Sequence, residues 1–332
     1  MQVSLHPQYE RVLNGIISVR ASLPSLISAR LAFWVQTAER LQANRSAWLD
    51  SLPESARILH SHTGLHGPLL NYMHKFLVSR GYPDLSVAAQ ACEGFPSTGI
   101  LARSHIWPEA PDKVERIAKV SPVSSVCADL RSRLNRWEAC RSKDPHTEAL
   151  LKKHLEAVRC GREREVSLHD VLSRPAALIH PCFGVKQGAK LREIMDCSAG
   201  GLNSCHASAE KLVLPGVDDI LDFACRLHQA GFRPVVAVAD ERSAFRNWPT
   251  ADPSLHIAAV LGTDRGTRLF EDRTLSFGDG SSVYSYNRVR CFLTAFLAHE
   301  FLIPCWNFFD DSGITMPEFC APAMWHGAGT LS

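Results

Sequence analysis

Residues 234–245 read PVVAVADERSAF and residues 304–311 read PCWNFFDD, and each contains a short apolar run that ends in aspartate. A run that is almost entirely apolar is typical of a strand buried on both faces of a sheet, and we predict two such strands. If they are neighbours in one sheet, three carboxylates converge at one edge. These belong to Asp240, Asp310 and Asp311.

Three carboxylates in close proximity repel one another, and this repulsion opposes their ionisation. Mg²⁺ removes that cost because it is a hard cation that prefers oxygen ligands. Two such ions about 3.5–4 Å apart would clamp the attacking and leaving oxygens of a phosphoryl transfer. The pattern therefore predicts Asp240, Asp310 and Asp311 as catalytic residues and as ligands of two Mg²⁺ ions, with Mn²⁺ as a substitute.

The aspartate pair is a weak signal by itself, because the chain has a second pair, Asp218-Asp219. That pair is better interpreted as the negative start of a helix over residues 218–229. A further helix is predicted over residues 281–299, with Ser281 or Ser282 as its N-cap. Residues 256–275 fit a hairpin, so strands and helices alternate in a compact α/β unit.

The region upstream of residue 218 is less informative. Residues 1–150 are mostly helical by periodicity and contain no chemical motif. A helix is predicted over residues 148–160. Residues 183–195 fit two short strands around Gly188, with basic side chains on the hairpin.

Composition sets broad limits on the kind of protein. The net charge is +2, but residues 1–195 hold 26 Lys+Arg and 18 Asp+Glu, whereas residues 196–332 hold 10 and 16. A basic half suits phosphates and an acidic half suits divalent cations, although both halves could be ordinary solvated surface.

Eleven cysteines occur without a C-x-x-C pair, so we expect free thiols, and neither a disulfide framework nor a zinc site is indicated. No apolar run approaches membrane-spanning length and no signal peptide is evident, so we expect an intracellular protein, cytoplasmic or nuclear, that is not secreted.

Four segments in order resemble the motifs of one enzyme family. Asp240 followed five residues later by Phe245 resembles the first catalytic motif of reverse transcriptases, and residues 308–311 (FFDD) resemble their Tyr/Phe-x-Asp-Asp box. Residues 275–278 (LSFG) are similar to the Leu-Pro-Phe-Gly segment of the retrotransposon enzymes. Residues 190–196 (KLREIMD) are similar to their Lys-x-Arg fingers motif.

The resemblance implies an α/β (α+β) fold with the palm and fingers of a right-hand polymerase. Residues 1–150 would be a mostly helical N-terminal region of unknown role, residues 151–206 a fingers-like segment, and residues 207–332 the palm. No thumb is evident, because only 21 residues follow Asp311 and they do not resemble one. We therefore expect a chain truncated after the Phe-Phe-Asp-Asp motif, with activity at risk from the truncation.

The resemblance also implies roles for individual residues. Lys190 and Arg192 would bind the incoming triphosphate, Phe245 would exclude a 2′-hydroxyl, and Gly278 would let the backbone approach the template or nucleotide. The alternatives are solvated charge for Lys190 and Arg192, a core aromatic for Phe245 and a turn for Gly278. The chain departs from the family at Ser276, which replaces the usual proline, and at Asp279, an acid directly after Gly278.

The implied function is template-directed nucleotidyl transfer by an RNA-directed DNA polymerase of the retroelement type, using two Mg²⁺ ions. Its partners would be an RNA or DNA template with primer and deoxynucleoside triphosphates, without a membrane. One alternative is a non-catalytic nucleic-acid-binding relic of a mobile element. The other is an RNA-dependent RNA polymerase, which usually has a smaller or polar residue in place of Phe245.

Overall fold

A computed structural model describes residues 7–140, 144–188, 190–309 and 311–320, which form a mixed α/β structure with several sheets. The helices are α1 (Pro7–Val19), α2 (Leu23–Gln42), α3 (Arg45–Asp50), α4 (Glu54–Thr63), α5 (Gly67–Val78), α6 (Val87–Glu93), α7 (Val114–Ala118), α8 (Val123–Cys127), α9 (Leu130–Cys140), α10 (Thr147–Arg159), α11 (Leu168–Leu172), α12 (Val217–Gln229) and α13 (Gly280–Phe301). The strands are β1 (Gly99–Ile100), β2 (Glu163–Val166), β3 (Ile179–Gln187), β4 (Lys190–Met195), β5 (His206–Ala207), β6 (Pro234–Asp240), β7 (Ile257–Thr263), β8 (Gly266–Asp272), β9 (Cys305–Phe308) and β10 (Asp311–Pro317).

The two apolar runs that end in aspartate form strands of one antiparallel sheet, with the order β6-β10-β9. Both predicted strands, β6 and β9, are therefore confirmed, but they are not neighbours, because β10 lies between them. The prediction that the first is buried on both faces is wrong. Strand β6 lies at the edge of the sheet, and its Val236 and Val238 side chains are 53% and 74% exposed. Helix α12 packs against this sheet, and apolar composition alone cannot distinguish an edge strand from a central one.

The predicted hairpins belong to a separate five-stranded sheet with the order β2-β8-β7-β3-β4. The hairpin around Gly188 is confirmed as the antiparallel pair β3–β4, and the hairpin in residues 256–275 is confirmed as β7–β8. Strand β3 pairs in parallel with β7, with Ile179 opposite Ile257. The expectation of one compact unit over residues 218–311 is thus wrong, because this segment contributes strands to two sheets. Helix α10 confirms the helix predicted over residues 148–160, and it packs on the five-stranded sheet.

Helix α13 is the central helix of the structure, and it confirms the prediction over residues 281–299. Its predicted N-cap is wrong, because Asp279 caps the helix and its carboxylate accepts a hydrogen bond from the Ser281 amide at 2.9 Å. A carboxylate is favoured there because the helix dipole is positive at its N-terminus. The Ser282 hydroxyl instead accepts a hydrogen bond from the Ser276 amide at 3.0 Å, a donor that the family's usual proline would lack. Asp279 is only 1% exposed, so this acid is a buried cap and not a surface charge.

The N-terminal helices share one hydrophobic core with α12 and α13. Arg288, on α13, is almost completely buried, and its guanidinium donates two hydrogen bonds to the Asp84 carboxylate, at 2.7 and 2.8 Å. A buried charge requires such a partner. The helical N-terminal region is therefore packed directly against the segment that carries Asp240 and Asp311.

One helical stretch, Pro7–Gln42, is long and apolar enough to cross a membrane by length and composition, which corrects the expectation that no run approaches that length. The stretch is weak evidence for a membrane, because core helices of soluble proteins pass the same test. A short 3-10 turn at Arg20–Ser22 separates α1 from α2. Ile16 and Trp34 lie in the hydrophobic core, which is consistent with a soluble protein.

Candidate functional site

Asp240 and Asp311 lie directly opposite each other in the antiparallel ladder between β6 and β10. Side chains at such paired positions have their Cβ atoms about 4.5–5.5 Å apart. Asp240 and Asp311 therefore converge at one end of the sheet, as predicted. Asp310, the third predicted carboxylate, lies outside the described residues.

Both carboxylates are accessible from solvent, since Asp240 and Asp311 are exposed. Neither one forms a hydrogen bond or an ion pair with another residue in the described part of the chain. Their oxygen lone pairs are consequently available to an external ligand. Two adjacent carboxylates with free oxygens form the type of donor set that a hard divalent cation prefers.

The chain turns sharply where these strands end, and both turns contain a non-glycine residue with positive φ. Phe309, at 55°, follows β9, where Phe308 pairs with Asp311 across the hairpin. Ser243, at 62°, lies in the turn after β6. Positive φ is uncommon for residues other than glycine, and local strain of this kind is concentrated at functional sites.

Arg290 connects the ends of the two aspartate-bearing strands, and the sequence alone did not identify it. Its Nη1 atom donates a hydrogen bond to Glu241 Oε2 at 2.9 Å, and its Nη2 atom donates to the Ser312 hydroxyl. Glu241 follows Asp240, and Ser312 follows Asp311. The guanidinium, which is 13% exposed, therefore fixes the residues next to both aspartates. No local pattern indicates this role, because Arg290 lies on α13, far from both strands in sequence.

The ring of Phe245 packs into the interior beside this network. It is 4% exposed, and it stacks on Tyr286 with ring centroids 4.4 Å apart and an interplanar angle of 24°. Phe277 lies on it at a centroid distance of 4.9 Å. The Tyr286 hydroxyl donates a hydrogen bond to Glu241 Oε2 at 2.8 Å. Phe245 thus supports the residue that follows Asp240, and its role as a barrier to a 2′-hydroxyl stays a prediction.

Gly278 contacts the end of the β3–β4 hairpin. Its φ is +103°, and a Cβ atom at this position would lie 2.0 Å from the Met195 carbonyl oxygen, so only glycine fits. The Asn203 amide donates a hydrogen bond to the Gly278 carbonyl oxygen at 2.9 Å. The close approach in this structure is to the protein's own backbone, and an approach to template or nucleotide stays a prediction.

Lys190 and Arg192 lie two positions apart on β4, and therefore on the same face of the hairpin. Both are exposed, and neither forms an ion pair with another of the described residues. Glu193 points to the other face, where its carboxylate lies 3.7 Å from Arg246 Nη1. Arg246 follows Phe245 directly, so this ion pair attaches the basic hairpin to the turn after Asp240.

Comparison with known proteins adds no identification. The chain matches no protein-family model, and no curated protein is similar to it.

Proposed function

We propose that this protein catalyses template-directed nucleotidyl transfer as an RNA-directed DNA polymerase that uses two Mg²⁺ ions. The observation that carries the proposal is the pairing of Asp240 with Asp311 on adjacent strands. Asp310, the neighbour of Asp311, would complete the set of three carboxylates.

The residues at this edge fit a pair of magnesium ions by their donor chemistry. Asp240 and Asp311 offer carboxylate oxygens that accept no hydrogen bond from the described residues, and Mg²⁺ takes oxygen ligands with little tolerance for other donors. When bound there, the ions would lower the pKa of a primer 3′-hydroxyl and stabilise the negative charge on the pyrophosphate leaving group.

The remaining residues would bind and orient the substrates. Lys190 and Arg192 would bind the triphosphate, for which the planar guanidinium of Arg192 offers paired donors. Phe245, whose ring contacts Tyr286 and Phe277, would limit the space near the sugar and so favour deoxynucleotides, a role that requires this buried ring to become accessible when substrate binds. Arg290 would keep the two aspartate-bearing strands in register, as a positioning residue without contact to substrate.

A primer-extension assay tests the proposal, with an RNA template, a DNA primer, Mg²⁺ and deoxynucleoside triphosphates. We expect extension by the wild type and a loss of at least about 100-fold in Asp240→Asn and Asp310→Asn, since each change removes an anionic metal ligand. Asp218→Asn is the matched control, because Asp218 is also an exposed aspartate of an Asp-Asp pair and lies at the start of α12.

Three outcomes would contradict the proposal or part of it. Equal extension by the wild type and Asp240→Asn would remove the catalytic role of the carboxylates. Salt-dependent nucleic-acid binding without extension by the wild type would favour a non-catalytic binding protein instead. Unchanged discrimination against ribonucleotides in Phe245→Ala would remove the barrier role of that ring.

A further inference from the structure

A second group of ligand-type side chains lies in the five-stranded sheet, away from the paired aspartates. His154, Cys182 and Glu193 bring their nitrogen, sulfur and carboxylate oxygen atoms within 4.8 Å of one another. His154 and Cys182 are buried, and the Glu193 side chain is 16% exposed. Ionisable groups are rarely buried unless they are paired or coordinate a metal.

The fold explains why these three residues meet. In the β3–β4 ladder, Cys182 pairs with Met195 and Gly184 pairs with Glu193, so Cys182 and Glu193 lie diagonally on the same face. Helix α10, which carries His154, packs on β3 and covers this face. Three elements therefore each direct one side chain to one point.

The histidine is oriented in the way that metal-binding histidines are. Its Nδ1 atom lies 2.7 Å from Glu163 Oε2, and its ring stacks on Phe270 at a centroid distance of 4.7 Å and an angle of 11°. These contacts fix the ring and direct the buried Nε2 atom towards Cys182 and Glu193. Glu193 Oε1 lies 3.6 Å from Nε2. A carboxylate on one ring nitrogen with the other nitrogen left for an ion is the usual arrangement of a zinc-bound histidine.

We propose that His154 Nε2, Cys182 Sγ and a carboxylate oxygen of Glu193 bind one Zn²⁺ ion. Nitrogen, thiolate and carboxylate donors together suit zinc, whereas magnesium takes oxygen ligands only. Three protein ligands leave one tetrahedral position for water. This site does not depend on the polymerase proposal, because it shares no residue with Asp240 and Asp311.

Charge balance at the site is compatible with a dication. The Cys182 thiolate and the Glu193 carboxylate together carry two negative charges, which a single Zn²⁺ would neutralise. The other charged groups that face the ligands are Glu163, Asp272 and Arg246, and Arg246 lies within ion-pair distance of both acids and of Glu193. Its guanidinium offsets the excess of carboxylates.

The ion would hold the β3–β4 hairpin against α10, with one ligand from the helix and one from each strand. Lys190 and Arg192 lie on the opposite face of β4 from Glu193, so zinc would stiffen the surface that carries them. Sequence patterns do not indicate this site, because its ligands come from three separate elements and no C-x-x-C pair is present.

Metal analysis and cobalt substitution of the full chain test this proposal. We expect one zinc per chain after purification, and in the Co²⁺ form a thiolate-to-cobalt charge-transfer band with the strong visible bands of a tetrahedral site. Cys182→Ser should remove the charge-transfer band, and Glu163→Gln should weaken zinc binding about 10–100-fold because it only orients His154. Cys197→Ser is the matched control, since Cys197 is an equally buried cysteine just after β4.

Two results would overturn the proposal. One is a wild type that binds no zinc and gives no thiolate band with Co²⁺, which would leave His154, Glu163 and Glu193 as an ion-pair network only. The other is a Cys182→Ser variant that keeps the band. Circular dichroism of each variant shows whether it is folded, and the wild-type spectrum decides the question even if a variant does not fold.

Discussion

Arg290→Gln is predicted to loosen the end of the sheet that carries Asp240 and Asp311. The change removes the guanidinium that donates to Glu241 and to Ser312, the residues next to the two aspartates. Among the described residues, Glu241 would keep the side-chain hydrogen bond from the Tyr286 hydroxyl alone. A carboxylate that is 24% exposed would then be poorly compensated.

The expected cost follows from the burial of this pair. Hydrogen bonds to charged groups contribute about 1.5–3 kcal/mol, and breaking a fully buried ion pair costs about 3–5 kcal/mol. The side chains of Arg290 and Glu241 are 13% and 24% exposed, so solvent screens them in part. We therefore expect the free energy of unfolding to fall by about 2 kcal/mol.

Urea unfolding in a double-mutant cycle measures this effect. The cycle uses Arg290→Gln, Glu241→Gln and the double variant, with Arg159→Gln as control, because the Arg159–Glu156 pair on α10 is 74% and 60% exposed. We expect a coupling free energy of at least about 1 kcal/mol between Arg290 and Glu241. The control variant should lower the free energy of unfolding by about 0.5 kcal/mol. Additive effects within about 0.5 kcal/mol would refute the positioning role of Arg290.

Three further predictions concern other parts of the structure. Gly278→Ala should destabilise the protein by at least about 2 kcal/mol more than Gly266→Ala in urea unfolding. Both glycines have positive φ, but only a Cβ atom at Gly278 would clash with a backbone carbonyl. Equal costs for the two variants would contradict this prediction. Arg288→Leu should lower the free energy of unfolding by about 3–5 kcal/mol, because it leaves the Asp84 carboxylate buried without its cationic partner. A decrease below about 1 kcal/mol would show that this pair does not join the N-terminal helices to α13. Burial lowers the pKa of His180 from 6.5 to about 4, so the folded state keeps the ring neutral while the unfolded state takes up a proton below pH 6.5. The contribution of His180 to stability should be complete above that pH and decrease as the pH falls towards 4, and an NMR titration that gives His180 a pKa near 6.5 would contradict the prediction.

Local patterns in the sequence predicted many of the elements well. Helix α12 and the hairpin around Gly188 depend on residues close together in the chain, namely an apolar periodicity and a glycine at the turn. The predicted strands β6 and β9 are not neighbours, because β10, which the sequence pattern did not predict, lies between them. Nothing local in a strand specifies its neighbour. The exposed valines of β6 and the cap at Asp279 were predicted wrongly, since each depends on what the fold places beside the segment.

The contacts between distant residues could not be predicted from the sequence. Arg290 and Glu241 are 49 positions apart, and the donors of His154, Cys182 and Glu193 meet only when α10 packs on the β3–β4 hairpin. For Phe245, the spacing from Asp240 predicts a contact with substrate. Its stacking on Tyr286 is visible only in the structure. Motifs thus indicate which residues carry chemistry, and tertiary packing decides what surrounds them.

Binding of Mn²⁺, followed by electron paramagnetic resonance in competition with Mg²⁺, tests most directly whether the paired aspartates form a metal site. The account predicts that the wild type binds Mn²⁺ and that Asp240→Asn and Asp311→Asn each weaken binding by at least about tenfold, which corresponds to about 1.4 kcal/mol. Asp218→Asn should bind as the wild type does. Equal Mn²⁺ affinity in the wild type, Asp240→Asn and Asp311→Asn would contradict the central claim.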